Sequence, residues 1–139
     1  MINLTNFKVL SNLYICPTPI GNLQDISARV LDTLETVDVI YCEDTRRARK
    51  LIENFSISTP LKSYFVGNEK IKIAEIEKTL TDGKNVALIS DAGTPLISDP
   101  GNDLIRHLII NNFNIISIPG PSSVLTALTL SGFELSEFQ

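Results

Sequence analysis

The sequence predicts an α/β domain built on a mostly parallel, five-stranded sheet with helices on both of its faces. Short apolar segments rich in β-branched residues alternate along the chain with longer amphipathic segments. Short, nearly continuous apolar runs are typical of strands that are buried on both faces of a parallel sheet. The alternation of such strands with helices indicates right-handed crossover connections. The predicted strands cover residues 13–16, 37–42, 61–65, 86–89 and 115–118.

The amphipathic segments are predicted to be helices, and residues near several of their ends support this. Asp99 precedes Pro100, which is the usual order of an N-cap acceptor and a first helical residue. Pro121 follows Gly120 in a similar position, and Gly83 stands where a helix is expected to end. The predicted helices cover residues 27–36, 46–54, 71–81, 100–111 and 121–131.

The composition excludes several classes of function. Hydrophobic residues make up 43% of the 139 residues and charged residues 20%, which is ordinary for a globular protein. No apolar run is long enough to span a bilayer, and the N-terminus lacks the basic-then-apolar order of a secretory signal, so we expect a cytoplasmic protein without a membrane partner. The net charge of −4 argues against a domain that binds RNA over its whole surface, but it leaves room for a local basic patch or a basic partner domain.

The two cysteines and the single histidine are expected to have structural roles. Cys16 and Cys42 lie at the ends of predicted strands and are interpreted as buried, reduced thiols rather than as a disulfide framework. His107 lies in the middle of a predicted helix, where a packed or solvent-facing side chain is expected. These residues do not form a set with the spacing of metal ligands, so we expect no metal site.

The loops after the first, second, fourth and fifth predicted strands are rich in Gly, Pro, Ser, Thr and acidic residues. Ligands of open α/β sheets bind at the carboxyl ends of the strands. Glycine lets the backbone approach a ligand closely, and proline stiffens a loop. The four loops therefore predict a small-molecule site. The sequence has neither a GxxxxGK[ST] P-loop nor a GxGxxG loop after its first strand, which argues against a P-loop NTPase and against a dinucleotide site.

Four ordered segments are similar to the successive signatures of one protein family. The similarity runs from about Leu13 to Phe138, and the segments read LYICPTPIGNLQDIS, YCEDTRRARKLIENFSISTPLKSY, VALISDAGTPLISDPG and ISIPGPSSVLTALTLSG. In this order and spacing they resemble the ribosomal RNA small subunit methyltransferase I family, which belongs to the tetrapyrrole methylase superfamily.

The resemblance implies an enzyme that uses S-adenosylmethionine to methylate the ribose 2′-oxygen of a cytidine in 16S rRNA of the small ribosomal subunit, and we expect a homodimer. It also implies a two-domain fold with the cofactor between the domains. Residues 13–139 would be the N-terminal domain after an extension of residues 1–12, and the second domain would be absent from this chain. The cofactor-binding residues implied are Thr18, Pro19, Ile20, Gly21, Ser90, Asp91, Ala92, Gly93, Thr94, Pro95, Pro119, Gly120, Pro121 and Ser122.

The loop after the second strand supplies candidates for the substrate side. Transfer to a ribose hydroxyl benefits from a nearby base, for which Asp44 and Glu43 are the candidates. The candidate contacts to RNA phosphates are Arg46, Arg47, Arg49 and Lys50. Plainer interpretations stay open: the acids also suit the start of a helix, the basic residues also suit a solvated helix face, and Asp91 also suits an acceptor within its own turn.

One stretch departs from the family pattern. After residue 64 the family carries a polar stretch resembling His-Glu-His-Asn-Glu, whereas residues 65–69 here read Phe-Val-Gly-Asn-Glu. A substrate-handling role for those histidines is therefore not expected in this chain. Two other functions stay open, namely a methylase of tetrapyrroles or another small acceptor, and a catalytically silent domain that binds cofactor or a partner.

Overall fold

The computed structural model describes residues 11–137, and it has the predicted α/β architecture. All strand pairs are parallel, in the spatial order β3-β2-β4-β1-β5. The strands are β1 (Asn12–Cys16), β2 (Val39–Cys42), β3 (Leu61–Ser63), β4 (Val86–Ile89) and β5 (Asn114–Ser117). The helices are α1 (Ala28–Thr36), α2 (Thr45–Asn54), α3 (Glu69–Thr81), α4 (Asn102–Ile110) and α5 (Ser123–Leu130), and a 3-10 helix covers Leu23–Asp25.

Alternate residues of each strand point to opposite faces of the sheet, and this divides the core into two layers. Cys16, Ile40 and Ala87 are buried in a cluster that includes Val30 of α1 and Ile52 of α2. Residues of the opposite face, including Leu13 and Leu88, pack with α3 and α4 through Ile76 and Leu104. The prediction of helices on both faces is therefore confirmed. None of the helices described within residues 11–137 is long and apolar enough to cross a membrane.

Two predicted strand boundaries are wrong, for local reasons. The strand predicted from residue 37 begins at Val39, because the Val37 N–H still belongs to the end of α1 and donates to the Thr33 carbonyl at 3.0 Å. The strand predicted to residue 65 ends at Ser63, because the Phe65 N–H donates to the Asn68 side chain at 2.9 Å and the chain turns into α3. That helix accordingly starts at Glu69, two residues before the predicted position.

Two predicted helix starts are also wrong. Asp99 does not cap α4: the N-cap is Gly101 with φ 132°, and the helix begins at Asn102. The loop before α4 is irregular, since Leu96 and Ser98 adopt left-handed φ values of 76° and 64°. Similarly, α5 begins at Ser123 and is capped by Ser122, so Pro121 lies before it.

Other expectations for single residues are confirmed. Gly83 adopts φ 81° at the end of α3, as a C-terminal stop requires. Cys16 and Cys42 are buried free thiols, and burial raises the pKa of each to about 12. The predicted extension of residues 1–12 falls mostly outside the described residues, and its last member, Asn12, already belongs to β1.

Leu104 offers a direct test of the layer formed by α3 and α4. Its side chain is fully buried, so Leu104→Ala should lower the free energy of unfolding by about 2–5 kcal/mol in urea denaturation, through lost burial and a residual cavity. Leu130→Ala is the matched control, because that side chain is 83% exposed, and its effect should stay within about 0.5 kcal/mol. Equal losses in the two variants would contradict the assigned core.

Candidate functional site

The strand order brings the ligand-type loops together at one edge of the sheet. β4 lies between β2 and β1, and β5 lies on the far side of β1. Because all strands are parallel, their carboxyl ends share one edge, so the loop after β4 has the loops after β1 and β2 as its neighbours. This is where open α/β sheets bind ligands.

The loops after β1 and β4 are joined by a pair of reciprocal backbone hydrogen bonds. The Thr18 N–H donates to the Gly93 carbonyl at 2.9 Å, and the Gly93 N–H donates to the Thr18 carbonyl at 3.0 Å. Two hydroxyls strengthen this junction: Thr18 Oγ1 donates to the Ser90 carbonyl at 3.2 Å, and Ser90 Oγ donates to the Gly93 carbonyl at 2.9 Å. Thr18 and Ser90 are buried, so their side chains hold the loops rather than face solvent.

The loop after β5 meets the same junction. Thr94 Oγ1 donates to the Pro121 carbonyl at 3.0 Å. A Cβ at Gly93 would lie 3.3 Å from Ile20 Cγ2 and 3.7 Å from the Pro121 carbonyl oxygen, and Gly93 has φ +82°. A Cβ at Gly120 would lie 2.7 Å from Pro17 Cβ. Three loops therefore approach each other at glycine positions where a side chain would interfere.

A shallow groove opens beside this junction, between the loops after β4 and β5. It has a volume of about 60 Å³. Its lining has no charged side chain and consists of Ala92, Gly93, Thr94, Ile97, Ser122, Ser123 and Val124. Ile97 is 65% exposed and Ile20 is 37% exposed, so both are accessible as apolar surfaces. The lining of this groove therefore offers backbone groups, hydroxyls and apolar side chains to a ligand.

Asp44, one of the two predicted bases, has a structural role at the start of α2. Asp44 is the N-cap: its Oδ1 accepts the Arg46 N–H at 2.8 Å, and its Oδ2 lies 2.9 Å from Arg46 Nη2. These hydrogen bonds to Arg46 lower the pKa of the Asp44 carboxyl to about 2. Such a carboxylate is a weak base, and its oxygens are already engaged.

The pKa of Glu43 is shifted in the opposite direction from that of Asp44. Partial burial raises the pKa of its carboxyl, and the neighbouring carboxylates of Asp91 and Asp99 raise it further. The pKa of Asp99 is raised in turn by burial and by Asp91. Glu43 accepts no hydrogen bond from any group within residues 11–137. It is therefore the stronger base of the two and the one whose oxygens are open.

Asp91 connects the loop after β4 to the start of α2. Its Oδ1 accepts the Asp44 N–H at 3.3 Å, and its Oδ2 pairs with Arg47 Nη1 at 3.1 Å. Of the predicted cofactor residues, Asp91 is thus turned away from the groove at Gly93 and toward the helix. Its alternative interpretation as an acceptor within its own turn is wrong, because both recorded donors belong to residues 44 and 47.

A larger cavity, of about 320 Å³, lies between α2 and the loops after β1 and β4. Arg47 and Lys50 contribute to it, whereas Arg46 lines only the adjacent hollow on the outer side of the helix. Arg49 lines neither of these two hollows. Leu51 and Asn54, which also line the cavity, were not identified from the sequence, although they follow Arg47 at helical spacing.

The remaining predicted residues lie at the same edge. Pro19 and Gly21 line the larger cavity, Pro95 is buried beneath the loop after β4, and Pro119 and Gly120 are exposed after β5. His107 lies outside the site, where its half-exposed side chain has Nε2 2.8 Å from Glu77, as expected of a histidine with a structural role. Searching residues 11–137 finds no group of three or more metal-ligating side chains.

Gly93→Ala tests the close approach of the three loops. Gly93 and Gly132 both have left-handed φ, +82° and +70°, so alanine costs about 1–2 kcal/mol of backbone strain at either position. A Cβ meets Ile20 only at Gly93 and open space at Gly132. Urea denaturation should therefore show a larger loss for Gly93→Ala than for Gly132→Ala. An equal or smaller loss would mean that the loops are not packed as described.

Comparison with known proteins assigns this architecture to a known group. The family described as Tetrapyrrole (Corrin/Porphyrin) Methylases matches residues 12–139. Two relatives named ribosomal RNA small subunit methyltransferase I, from Thermotoga maritima and Vibrio cholerae, are each 45% identical and align with 93% and 97% of this chain. A third with that name, from Bacillus subtilis, is 46% identical over 86% of the chain. The predicted family resemblance is thereby confirmed.

The chain spans about half the length of these relatives, covering 58%, 48% and 41% of them. Two solved structures share the fold. The uroporphyrin-III-C-methyltransferase from Thermus thermophilus has a TM-score of 0.67 at 19% identity, over 91% of this chain and 55% of that one. A diphthine synthase has a TM-score of 0.71 at 19% identity, over 89% of this chain and 50% of that one.

Proposed function

Because the chain belongs to the tetrapyrrole (corrin/porphyrin) methylase family, we propose that it binds S-adenosylmethionine and takes part in methylating ribosomal RNA. The proposed acceptor is the ribose 2′-oxygen of a cytidine in 16S rRNA. The observation that carries the proposal is the identity of about 45% to proteins named ribosomal RNA small subunit methyltransferase I, extending over nearly the whole chain. The charges around the site support a cofactor side and an RNA side. The groove at Gly93 has no charged side chain, whereas the cavity beside α2 includes Arg47 and Lys50.

The uncharged groove at Gly93, of about 60 Å³, can hold only part of the cofactor, and we assign it one wall of the cofactor site. S-adenosylmethionine is a sulfonium cation with polar adenosine and amino acid ends, and when bound it supplies an electrophilic methyl group. Backbone amides and carbonyls near Gly93, together with the hydroxyls of Thr94 and Ser122, suit the polar ends. Ile20 and Ile97 offer apolar surface for the adenine. The rigid junction of the loops holds these groups in place before binding, which favours an aligned displacement that needs no covalent enzyme intermediate.

Of the two candidate bases, we assign the role to Glu43. A ribose hydroxyl is a weak nucleophile, and an acceptor of raised pKa is better placed to take its proton. The pKa of Glu43 is raised, whereas Asp44 is held at a low pKa by Arg46 and caps α2. Asp44 then serves to start the helix that carries the basic residues.

The RNA side is assigned to α2. Its cationic residues Arg46, Arg47, Arg49 and Lys50 account for four of the 12 Lys and Arg residues of an otherwise acidic chain. Guanidinium and ammonium groups are the usual contacts to phosphate oxygens, and such contacts position RNA without reading its sequence. Arg47 is presented at a fixed angle because Asp91 holds one of its nitrogens.

The proposal extends to the setting in which the protein works. We infer that the protein acts as a homodimer in the cytoplasm and methylates RNA within the small ribosomal subunit. We expect it to need neither a metal nor a membrane partner. Exposed apolar side chains along α5 and after it support association of this domain with further protein surface; they include Val124, Leu125, Leu130 and Phe133.

Methyl transfer to ribosomal subunits tests this function. The full chain, incubated with unmethylated 30S subunits and methyl-labelled S-adenosylmethionine, should label one cytidine ribose of 16S rRNA. Glu43→Gln should reduce the rate at least about 100-fold, as expected for loss of a general base. Glu35→Gln on the exposed surface of α1 is the matched control and should leave the rate unchanged. Label on a small molecule instead of RNA, or an unaffected Glu43→Gln variant, would contradict the assignment of the acceptor or of the base respectively.

A further inference from the structure

One side of the cavity beside α2 is lined by predicted cofactor residues, namely Thr18, Pro19, Gly21, Ser90 and Asp91. The other side is lined by Leu23 and by residues of α2, which the predicted cofactor site does not include. Leu23, Ala48 and Leu51 form its apolar part, and Arg47, Lys50 and Asn54 supply polar groups. Arg47, Leu51 and Asn54 recur at helical spacing, so one face of α2 forms a wall of the cavity. A mostly apolar pocket with a few convergent polar groups is the usual form of a small-molecule site.

Two cations stand at the edge of this cavity. Arg47 and Lys50 line both the cavity and the adjacent hollow on the outer side of α2, so they lie between the two. Among the ion pairs recorded for residues 11–137, none involves Lys50. Arg47 uses only Nη1 on Asp91, which leaves further N–H donors of its guanidinium for a ligand. Asp91 also lines the cavity and offsets part of the charge of Arg47, so Lys50 and the remaining donors of Arg47 are the groups that favour an anion at this edge.

We propose that the cavity binds a single nucleotide of the RNA strand, with its phosphate between Arg47 and Lys50 and its base against Leu23 and Leu51. This inference rests on the proposed function and adds a site for one unit of the acceptor. A base that is unstacked from its neighbours and inserted between apolar side chains is the common way in which proteins reach a reactive position of a nucleotide.

Asn54 suits the edge of a cytosine. Its Nδ2 donates to the Lys50 carbonyl at 2.6 Å, which fixes the amide and leaves Oδ1 as an acceptor. The cytosine N4 amino group is a donor and needs such an acceptor. The opposite wall includes Ser90 and Asp91 of the loop that also carries Gly93. The cavity therefore borders the loop assigned to the cofactor.

An NMR titration of the full chain with cytidine 5′-monophosphate tests the site, with cytidine and inorganic phosphate as comparison ligands. The nucleotide should shift the amide resonances of Leu23, Leu51 and Asn54, and it should bind more tightly than either comparison ligand. Lys50→Gln should weaken nucleotide binding about tenfold, which corresponds to about 1.4 kcal/mol. Lys84→Gln is the matched control for charge, because Lys84 is exposed outside the cavity, and it should change nothing.

A second variant tests the apolar part of the cavity. Leu51→Trp should fill it and abolish the shifts at Leu23 and Asn54 while thermal unfolding stays close to that of the original chain. If that variant fails to fold, Asn54→Leu takes its place and should weaken the binding of cytidine monophosphate more than the binding of uridine monophosphate, whose base lacks the amino donor. Equal weakening for both nucleotides would overturn the assignment of Asn54.

Titration with S-adenosylhomocysteine separates this inference from the proposed function. Shifts around Gly93 with this cofactor analogue, but none at Leu51 with the nucleotide, would overturn the nucleotide site alone. Nucleotide shifts at Leu51 without any response to the analogue would support the nucleotide site and contradict the methylase function. Displacement of the nucleotide by the analogue, or nucleotide shifts confined to Arg46 and Arg49, would also overturn the site.

Discussion

The two backbone hydrogen bonds between Thr18 and Gly93 are the interaction on which the rest of the site depends. They join the loops after β1 and β4 at the point where the sheet ends, and the buried hydroxyls of Thr18 and Ser90 add two further bonds to the same junction. Glycine suits position 93 because φ is +82° and because a Cβ there would lie 3.3 Å from Ile20 Cγ2. A site assembled from separate loops is thereby held in one geometry before any ligand arrives, which is the usual condition for efficient group transfer.

The two hollows on either side of this junction differ in charge. The groove toward β5 is lined by backbone, hydroxyl and apolar groups, whereas the cavity toward α2 carries Arg47 and Lys50. Asp91 also lines this cavity, where it accepts a hydrogen bond from the Asp44 N–H at the start of α2 and pairs with Arg47. A cationic cofactor and an anionic polymer can therefore occupy neighbouring surfaces without repelling charges of their own sign. Local surroundings also distinguish Asp44 from Glu43: hydrogen bonds to Arg46 lower the pKa of the Asp44 carboxyl, whereas partial burial and then the neighbouring carboxylates raise the pKa of Glu43.

The sequence was sufficient for the fold class, for the family and for the meeting of the strand-end loops at one edge of the sheet, since apolar periodicity and strand-end loops are local signals. It failed where tertiary contacts decide the outcome. Asp99 looks like an N-cap, yet the irregular loop around Leu96 and Ser98 delays α4 until Gly101. Asp44 and Glu43 are adjacent and chemically alike, and only their surroundings distinguish them. Leu51 and Asn54 carry no sequence signal of their own, because their role depends on which face of α2 lies over the loops.

Amide hydrogen exchange of Thr18 and Gly93 is the most direct measurement of whether the site is held together before ligand binding. We expect both amides, in the chain without ligand, to exchange nearly as slowly as the buried amides of β1 and β4, because their release requires sub-global or global opening. Their protection should change little when S-adenosylhomocysteine is added. Fast exchange without ligand, followed by protection only on binding, would contradict a preformed junction and would mean that the ligand assembles the site.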